Sequence, residues 1–92
     1  MMEHASQTFT IINDLGLHAR AATKLVQLAS RFPCEVTVAN AEHHANAKSV
    51  MGVLLLCGSK GTSVEVTASG PQAAECVATI GLLIQERFGE PT

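Results

Sequence analysis

The sequence predicts an α+β domain in which helices cover one face of a β-sheet, with the element order β-α-β-β-α-β-α. Three segments alternate between apolar and polar residues, which is typical of strands that are buried on one face only. The segments between them have helical periodicity or begin at helix-capping residues. The 92 residues suit one domain (1–92), with an ordered core expected over about residues 7–88.

Four segments are predicted as strands: residues 7–12, 34–38, 43–46 and 62–68. The first places Phe9 and Ile11 on one face, and the last does the same with Val64 and Val66. Turn-forming Asn, Asp and Gly residues separate the first strand from the helix that follows. Periodicity leaves the order of the strands open, and it also allows a ferredoxin-like arrangement.

Three segments are predicted as helices: residues 18–32, 50–57 and about 71–88. Pro33 ends the first helix, Ser49 caps the second, Gly58 and Gly61 end the second, and Pro71 takes the first position of the third. The apolar stripe of the first helix contains Ala22, Leu25, Val26 and Ala29. The apolar stripe of the last helix contains Ala73, Val77, Ile80, Ile84 and Phe88.

Composition excludes several classes of function. The net charge of −2 and the three aromatic residues, all Phe, argue against a nucleic-acid binder. No apolar run is long enough to span a bilayer, and the first residues lack the pattern of a signal peptide, so a cytoplasmic location without membrane insertion is expected. The three widely spaced cysteines match neither a disulfide framework nor a zinc site, and they are interpreted as reduced and mostly buried.

His18 is the most informative residue, because it stands between a glycine-containing loop and an amphipathic helix. The first amides of a helix have no intrahelical partner and carry partial positive charge, which suits a phosphate group. The same field favours a neutral, nucleophilic imidazole. Arg20 adds a cation that can brace phosphate oxygens. The alternative is a surface histidine beside a solvated arginine.

Ser49 repeats this arrangement at the start of the second predicted helix, where it follows Lys48. One interpretation is an ordinary serine cap. The other is a regulatory phosphorylation site, because the helix start tolerates a phosphate that changes only the surface charge. Met51 and its apolar neighbours are mostly core, although a short helix leaves one or two exposed, together with Leu17, as a docking patch.

The motifs GLHARAA and NAKSVMGVLLL, with His18 and Ser49 separated by 31 positions, resemble the HPr family of phosphocarriers of the bacterial phosphoenolpyruvate-dependent phosphotransferase system. The resemblance extends from Thr8 to about Phe88. It implies an open-faced β-sandwich, with a four-stranded antiparallel sheet and three helices on one side. It also implies a carrier that takes a phosphoryl group from enzyme I and passes it to IIA domains of sugar transporters, with no cofactor.

The resemblance further implies roles for individual residues. His18 is the phosphoryl acceptor through Nδ1, Arg20 stabilises the phosphate, and Ser49 is the target of a regulatory kinase in many relatives. The residues assigned to partner docking are Leu17, Ala21, Lys48, Met51 and Leu54. One departure is Ala21, since the family commonly has proline there, and it leaves open whether the chain serves sugar transport or the related nitrogen-linked relay.

Two other functions are compatible with the sequence. The first is a regulatory binding module, without phosphoryl transfer, whose docking is controlled by phosphorylation of Ser49. The second is a metal binder that uses His43, His44 and a cysteine, although adjacent strand residues point to opposite faces. The expectation for the carrier is a monomer without a bound metal.

Overall fold

In the computed structural model, which describes residues 3–92, the chain forms one sheet and three helices. The strands are β1 (His4–Thr10), β2 (Glu35–Ala39), β3 (His44–Asn46) and β4 (Ser63–Ser69). The helices are α1 (Ala19–Ala29), α2 (Val50–Leu55) and α3 (Ala73–Gln85), and a 3-10 turn follows at Arg87–Gly89. The predicted element order is confirmed. Within residues 3–92, no helix has both the length and the apolar character needed to cross a membrane.

The sheet has the strand order β1-β4-β2-β3, and every neighbouring pair is antiparallel. This order, which periodicity left open, places β4 between β1 and β2 and leaves β1 and β3 as edges. The predicted α+β fold, with an open four-stranded antiparallel sheet and three helices, is confirmed.

The core lies between one face of the sheet and the helices. In β4 the alternating residues Val64, Val66 and Ala68 are buried, whereas Ser63 and Glu65 are exposed. Helix α3 packs directly on β1, where a β-carbon at Gly81 would clash with the ring of Phe9. Glycine is therefore required at this position for the helix to lie close against the edge strand.

The ends of two early elements differ from the prediction. β1 begins at His4 and ends at Thr10, although Ile11 just beyond it is fully buried, as its predicted facing requires. Helix α1 ends at Ala29, well before Pro33, because the amides of Arg31 and Phe32 bond three residues back and tighten the chain into a turn.

Both ends of the last helix also differ. Pro71 does not take its first position, because Gln72 adopts a left-handed conformation (φ 65°) and α3 begins at Ala73. The helix ends at Gln85, so Phe88 is not part of it. Phe88 nevertheless reaches the core and is fully buried, because a positive φ of 54° turns the chain back over the domain.

Candidate functional site

His18 is the N-cap of α1, at the boundary where the sequence places it. Its backbone is extended (φ −76°, ψ 179°), and its carbonyl accepts the amide of Ala22 at 2.9 Å. Its Nδ1 accepts a hydrogen bond from the backbone N–H of Arg20 at 3.3 Å. The side chain remains 28% exposed. Nδ1 therefore presents a lone pair at the positive end of an 11-residue helix, on a ring that a partner protein can reach.

The loop before His18 is held against the segment that follows α2. Gly16 has a φ of +65°, and a side chain there would clash with the Gly58 carbonyl. The amide of Leu17 donates to the same carbonyl at 2.7 Å, and the Leu17 side chain lies beneath Gly58. These contacts fix the backbone on the N-terminal side of the histidine.

The other ring nitrogen of His18 faces the C-terminal segment. Nε2 is paired with Oε2 of Glu90, whose side chain is only 9% exposed. The second carboxylate oxygen, Oε1, accepts from Nδ2 of Asn13 at 2.9 Å. Asn13 is fully buried, and its Nδ2 also donates to the Gly16 carbonyl at 2.9 Å. The imidazole is thus held on both sides, by a helix amide and by a carboxylate.

Glu90 and Asn13 are the two site residues that the sequence analysis did not find. Asn13 had been interpreted as a turn former, and Glu90 lies outside the expected ordered core of 7–88. The available signal was weak: a carboxylate shortly after the last apolar residue, Phe88, and an asparagine in the loop before the histidine.

The pKa of the Glu90 carboxyl is held below its usual range, chiefly by hydrogen bonding to His18 and then to Asn13. Electrostatic interactions with His18 and Arg20 lower this pKa further, against the opposing effect of burial. Glu90 is therefore ionised near neutral pH. Arg20 itself is exposed at the second position of α1, so its guanidinium remains available to an incoming anion.

Ser49 and Lys48 precede α2. Ser49 is its N-cap, as predicted, and its Oγ accepts the Gly52 amide at 3.1 Å. Lys48 does not extend freely into solvent, because its ammonium donates to the carbonyls of Phe32 at 2.7 Å and Cys34 at 2.8 Å. The structure thus gives Lys48 a role in joining α2 to the turn after α1.

Two of the residues assigned to partner docking do not lie on an accessible surface. The side chain of Leu17 is 6% exposed, because Gly58 packs on it, and that of Ala21 is fully buried in the core. The expectation that Leu17 stays exposed is wrong. Met51 is 70% exposed, as expected, and Leu54 is half-buried.

Two exposed apolar side chains outside the assigned docking residues lie beside His18 or Ser49. Leu15 is 69% exposed and lines a shallow depression together with His18, and Leu55 is 67% exposed on α2. Leu15 lies in the Asn-Asp-Leu-Gly turn, and an apolar residue among turn-forming residues was the available signal. Leu15, Met51 and Leu55 together are called the exposed apolar set below.

Cys57 lines the same depression as Leu15 and His18, whereas His43 and His44 lie at β3. His44 is in β3, and His43 precedes it in the turn, where its carbonyl accepts the Asn40 amide at 2.8 Å. Within residues 3–92 no group of three His, Cys, Asp or Glu residues is placed to hold a metal ion. The cysteines are free: Cys34 and Cys76 are buried, and Cys57 is exposed.

Comparison with known proteins identifies the family. The model of the PTS HPr component phosphorylation site matches residues 5–86. The chain belongs to the HPr family. It is 44% identical, over 91% of its length and 94% of the relative's, to the phosphocarrier protein HPr of Neisseria meningitidis serogroup A. It is also 40% identical, over 97% of its length and 98% of the relative's, to the phosphocarrier protein NPr of Shewanella violacea.

A solved structure supports the same assignment for this HPr-family chain. The crystal structure of HPr-C-His from Thermoanaerobacter tengcongensis superposes with a TM-score of 0.91 at 38% identity. The match covers 96% of this chain and 99% of that one. The resemblance drawn from the two motifs is confirmed, and the chain is a phosphocarrier-family component of the phosphotransferase system.

Proposed function

We propose that the protein accepts a phosphoryl group on Nδ1 of His18 from phosphorylated enzyme I and passes it to IIA domains of sugar transporters. The observation that carries the proposal is the hydrogen bond from the Arg20 amide to Nδ1. An atom that accepts this bond has its lone pair free of a proton, and it lies where a helix start stabilises a phosphate.

The transfer uses Nδ1 of His18, the first amides of α1 and the Arg20 side chain. The Nδ1 lone pair attacks the phosphorus of a phosphohistidine on the donor, and the donor's nitrogen–phosphorus bond breaks with its electron pair returning to that nitrogen. The amides of the first turn of α1, including the N–H that Ala21 keeps and a proline would lack, face the arriving phosphoryl oxygens. Arg20 braces the same oxygens. Release to the next protein reverses these steps, so the chain acts as a carrier and not as a catalyst.

The decisive experiment incubates the protein with phosphoenolpyruvate and enzyme I and measures its intact mass. We expect the addition of one phosphoryl group that is lost in acid and retained in base, as for a nitrogen–phosphorus bond. His18→Ala should accept none, whereas His44→Ala, which alters an exposed histidine of β3, should accept the full amount. Full labelling of His18→Ala would overturn the proposal.

A second candidate is the nitrogen-linked relay, which the similarity to the NPr of Shewanella violacea favours. The two branches differ in the partner proteins, so the phosphorylated chain should be offered to IIA domains of both kinds in separate reactions. Faster transfer to a sugar-transporter IIA domain supports the first candidate. Faster transfer to the nitrogen-branch domain supports the second.

The proposal includes a surface that binds partner proteins and a residue that regulates this binding. We assign docking to Met51, Leu54 and the remaining members of the exposed apolar set, of which Leu15 lines a depression with His18 and Leu55 lines one with Ser49. Ser49 is the proposed target of a regulatory kinase. Its Oγ is only partly buried, so a phosphate added there changes the charge next to Met51 without removing a core group. We propose that the carrier is a cytoplasmic monomer. Light scattering, which measures the molecular mass in solution, tests the monomeric state.

A further inference from the structure

The contacts around His18 form a chain of hydrogen bonds with only one consistent arrangement of donors. It runs from the Gly16 carbonyl to Asn13, from Asn13 to Glu90, and from Glu90 to Nε2 of His18. The Gly16 carbonyl can only accept, so the Asn13 atom beside it must be the amide nitrogen. That nitrogen also faces Oε1 of Glu90, and an ionised carboxylate can only accept as well.

Within the part of the chain that the structure describes, the orientation of the Asn13 side chain leaves its Oδ1 unpaired, which indicates that the contacts of its nitrogen determine the orientation. Its Oδ1 is buried and has no hydrogen-bond partner among residues 3–92, although a buried carbonyl oxygen normally has one. Rotating the amide by 180° would bring Oδ1 against the Gly16 carbonyl and the Glu90 carboxylate, two acceptors. The side chain is thus fixed with its nitrogen toward Glu90.

The same reasoning determines which ring nitrogen of His18 carries the hydrogen. Oε2 of Glu90 accepts, so Nε2 must donate, and in a neutral ring Nδ1 is then bare. The Arg20 amide, which donates to Nδ1, requires the same tautomer independently. Two unrelated contacts on opposite sides of the ring therefore agree.

We propose that Glu90 is a positioning residue that holds His18 in the tautomer with a bare Nδ1 and balances the positive charge of the ring during phosphoryl transfer, with Asn13 aiming Glu90. This inference rests on the proposed role of His18 as acceptor. When the bare Nδ1 of a neutral ring bonds to phosphorus, the proton stays on Nε2 and the ring becomes a cation. The Glu90 carboxylate faces that cation while the phosphoryl group is bound, and the ring becomes neutral again when the group leaves.

The segment around Glu90 is built to present the carboxylate at a fixed place. On one side, the buried Phe88 anchors it, and the Phe88 carbonyl accepts from the Lys24 ammonium at 2.6 Å. Gly89 follows with a φ of +80°, which redirects the chain. On the other side, the Thr92 carbonyl accepts the Asp14 amide at 3.0 Å. Glu90 lies between two attachments to the body of the domain.

The test uses Glu90→Gln, which has nearly the same shape, and nitrogen-15 NMR of the histidine rings. Gln offers one oxygen in place of two. The Asn13 amide nitrogen donates to that oxygen, so the glutamine nitrogen is turned toward Nε2 of His18. Because that nitrogen can only donate, the tautomer with a bare Nε2 is favoured. The matched control is Glu86→Gln, an exposed carboxylate at the end of α3, and His44 is an internal reference ring.

We expect wild-type His18 to show a protonated Nε2 and a bare Nδ1, and we expect Glu86→Gln to match it. In Glu90→Gln the nitrogen-15 chemical shifts of Nδ1 and Nε2 should move toward each other. Phosphoryl transfer should slow by at least about tenfold, as when a histidine loses the group that sets its tautomer. Glu90→Asp, which keeps the charge on a shorter side chain, should recover part of both effects.

The outcomes separate this inference from the proposed function. A proton on Nδ1 in the wild type overturns the inference, and so do unchanged His18 ring nitrogens in Glu90→Gln. An altered tautomer with unchanged transfer overturns the role in transfer. If the wild type accepts no phosphoryl group at all, the proposed function fails, and with it the role of Glu90 in transfer. Backbone amide spectra of each variant establish that the domain is folded.

Discussion

The ammonium of Lys24, in the second turn of α1, donates to the backbone carbonyl of Phe88 at 2.6 Å. This bond joins the helix that begins at His18 to the turn that carries Glu90. Gly89 lies beside the same ammonium, so a side chain there would crowd it. The helix that begins at His18 and the C-terminal segment are therefore one structural unit, although they lie far apart in the sequence.

Replacing Lys24 by methionine tests the contribution of this bond to stability. Methionine keeps the aliphatic stem but leaves the Phe88 carbonyl without its donor. We expect the free energy of unfolding to fall by about 1–3 kcal/mol, as for a hydrogen bond to a charged group, in urea unfolding. Lys60→Met is the control, because the Lys60–Asp14 pair is exposed to solvent and should contribute much less. Equal losses in the two variants would contradict this interpretation.

Arg20→Ala tests how much the guanidinium stabilises the transferred phosphoryl group. The helix amides remain, so transfer from enzyme I should slow without stopping, by the equivalent of one charge-assisted hydrogen bond, roughly 1.5–3 kcal/mol. Arg20→Lys should recover part of the rate, since it keeps the charge but not the two-pronged geometry. Arg31→Ala, which removes an exposed arginine just beyond the other end of α1, is the control. If rapid-mixing rates for Arg20→Ala equal those of the wild type, Arg20 is merely solvated.

Ser49→Asp tests regulation through the start of α2. Aspartate is itself a good N-cap, so the melting temperature should change little. The added negative charge near Met51 should slow phosphorylation of His18 by enzyme I, and salt should reduce the defect by screening. Ser63→Asp places the same charge on an exposed residue of β4 and should not slow transfer. A fall of many degrees in melting temperature would show that Ser49 is structural first, and unchanged rates at low salt would remove its regulatory role.

The buried thiol of Cys76 predicts a loss of stability at alkaline pH. Burial raises its pKa from 9.0 to about 12, with a further effect of the neighbouring Cys34. Between these values the unfolded chain releases the proton and the folded chain keeps it, so the unfolding equilibrium shifts toward the unfolded state by up to about tenfold per pH unit. Stability is thus unaffected by this group below pH 9 and decreases as the pH rises above it. Urea unfolding over a pH series measures the slope.

Comparison of two variants isolates that effect. In Cys76→Ala the free energy of unfolding should decrease less steeply as the pH rises above 9, by the equivalent of up to one proton. This holds whatever the stability of the variant at neutral pH. Cys57→Ala is the control for the loss of a thiol, because Cys57 is exposed in the fold. Identical slopes in all three proteins would show that Cys76 does not retain its proton in the native state.

Local pattern was enough to predict the elements, because each depends on neighbours within a few residues. The alternation of β4 and the stripe of α3 correspond to buried residues, and His18 and Ser49 are the helix caps that their positions indicate. Phe88 illustrates the limit. Its burial followed from the stripe, but the chain reaches that place by a positive φ that no apolar periodicity describes.

Glu90 and Asn13 were not predicted as site residues, because their contacts join residues that lie far apart in the sequence. Glu90 meets His18 across 72 positions and Asn13 across 77, and nothing near either residue in the sequence indicates the other. Leu17 was expected at the surface for a related reason. Its burial depends on Gly58, a residue whose lack of a side chain leaves the space that Leu17 fills.

The span between His18 and Glu90 has a consequence for how the protein is made. A ribosome that has just added His18 must add 72 further residues before Glu90 exists. Nascent chains therefore have the histidine but not the carboxylate beside it, and Nε2 of their imidazole lacks the partner that the complete domain supplies. The pairing of Nε2 with Glu90 forms only after synthesis has passed residue 90 and both ends of the domain have met.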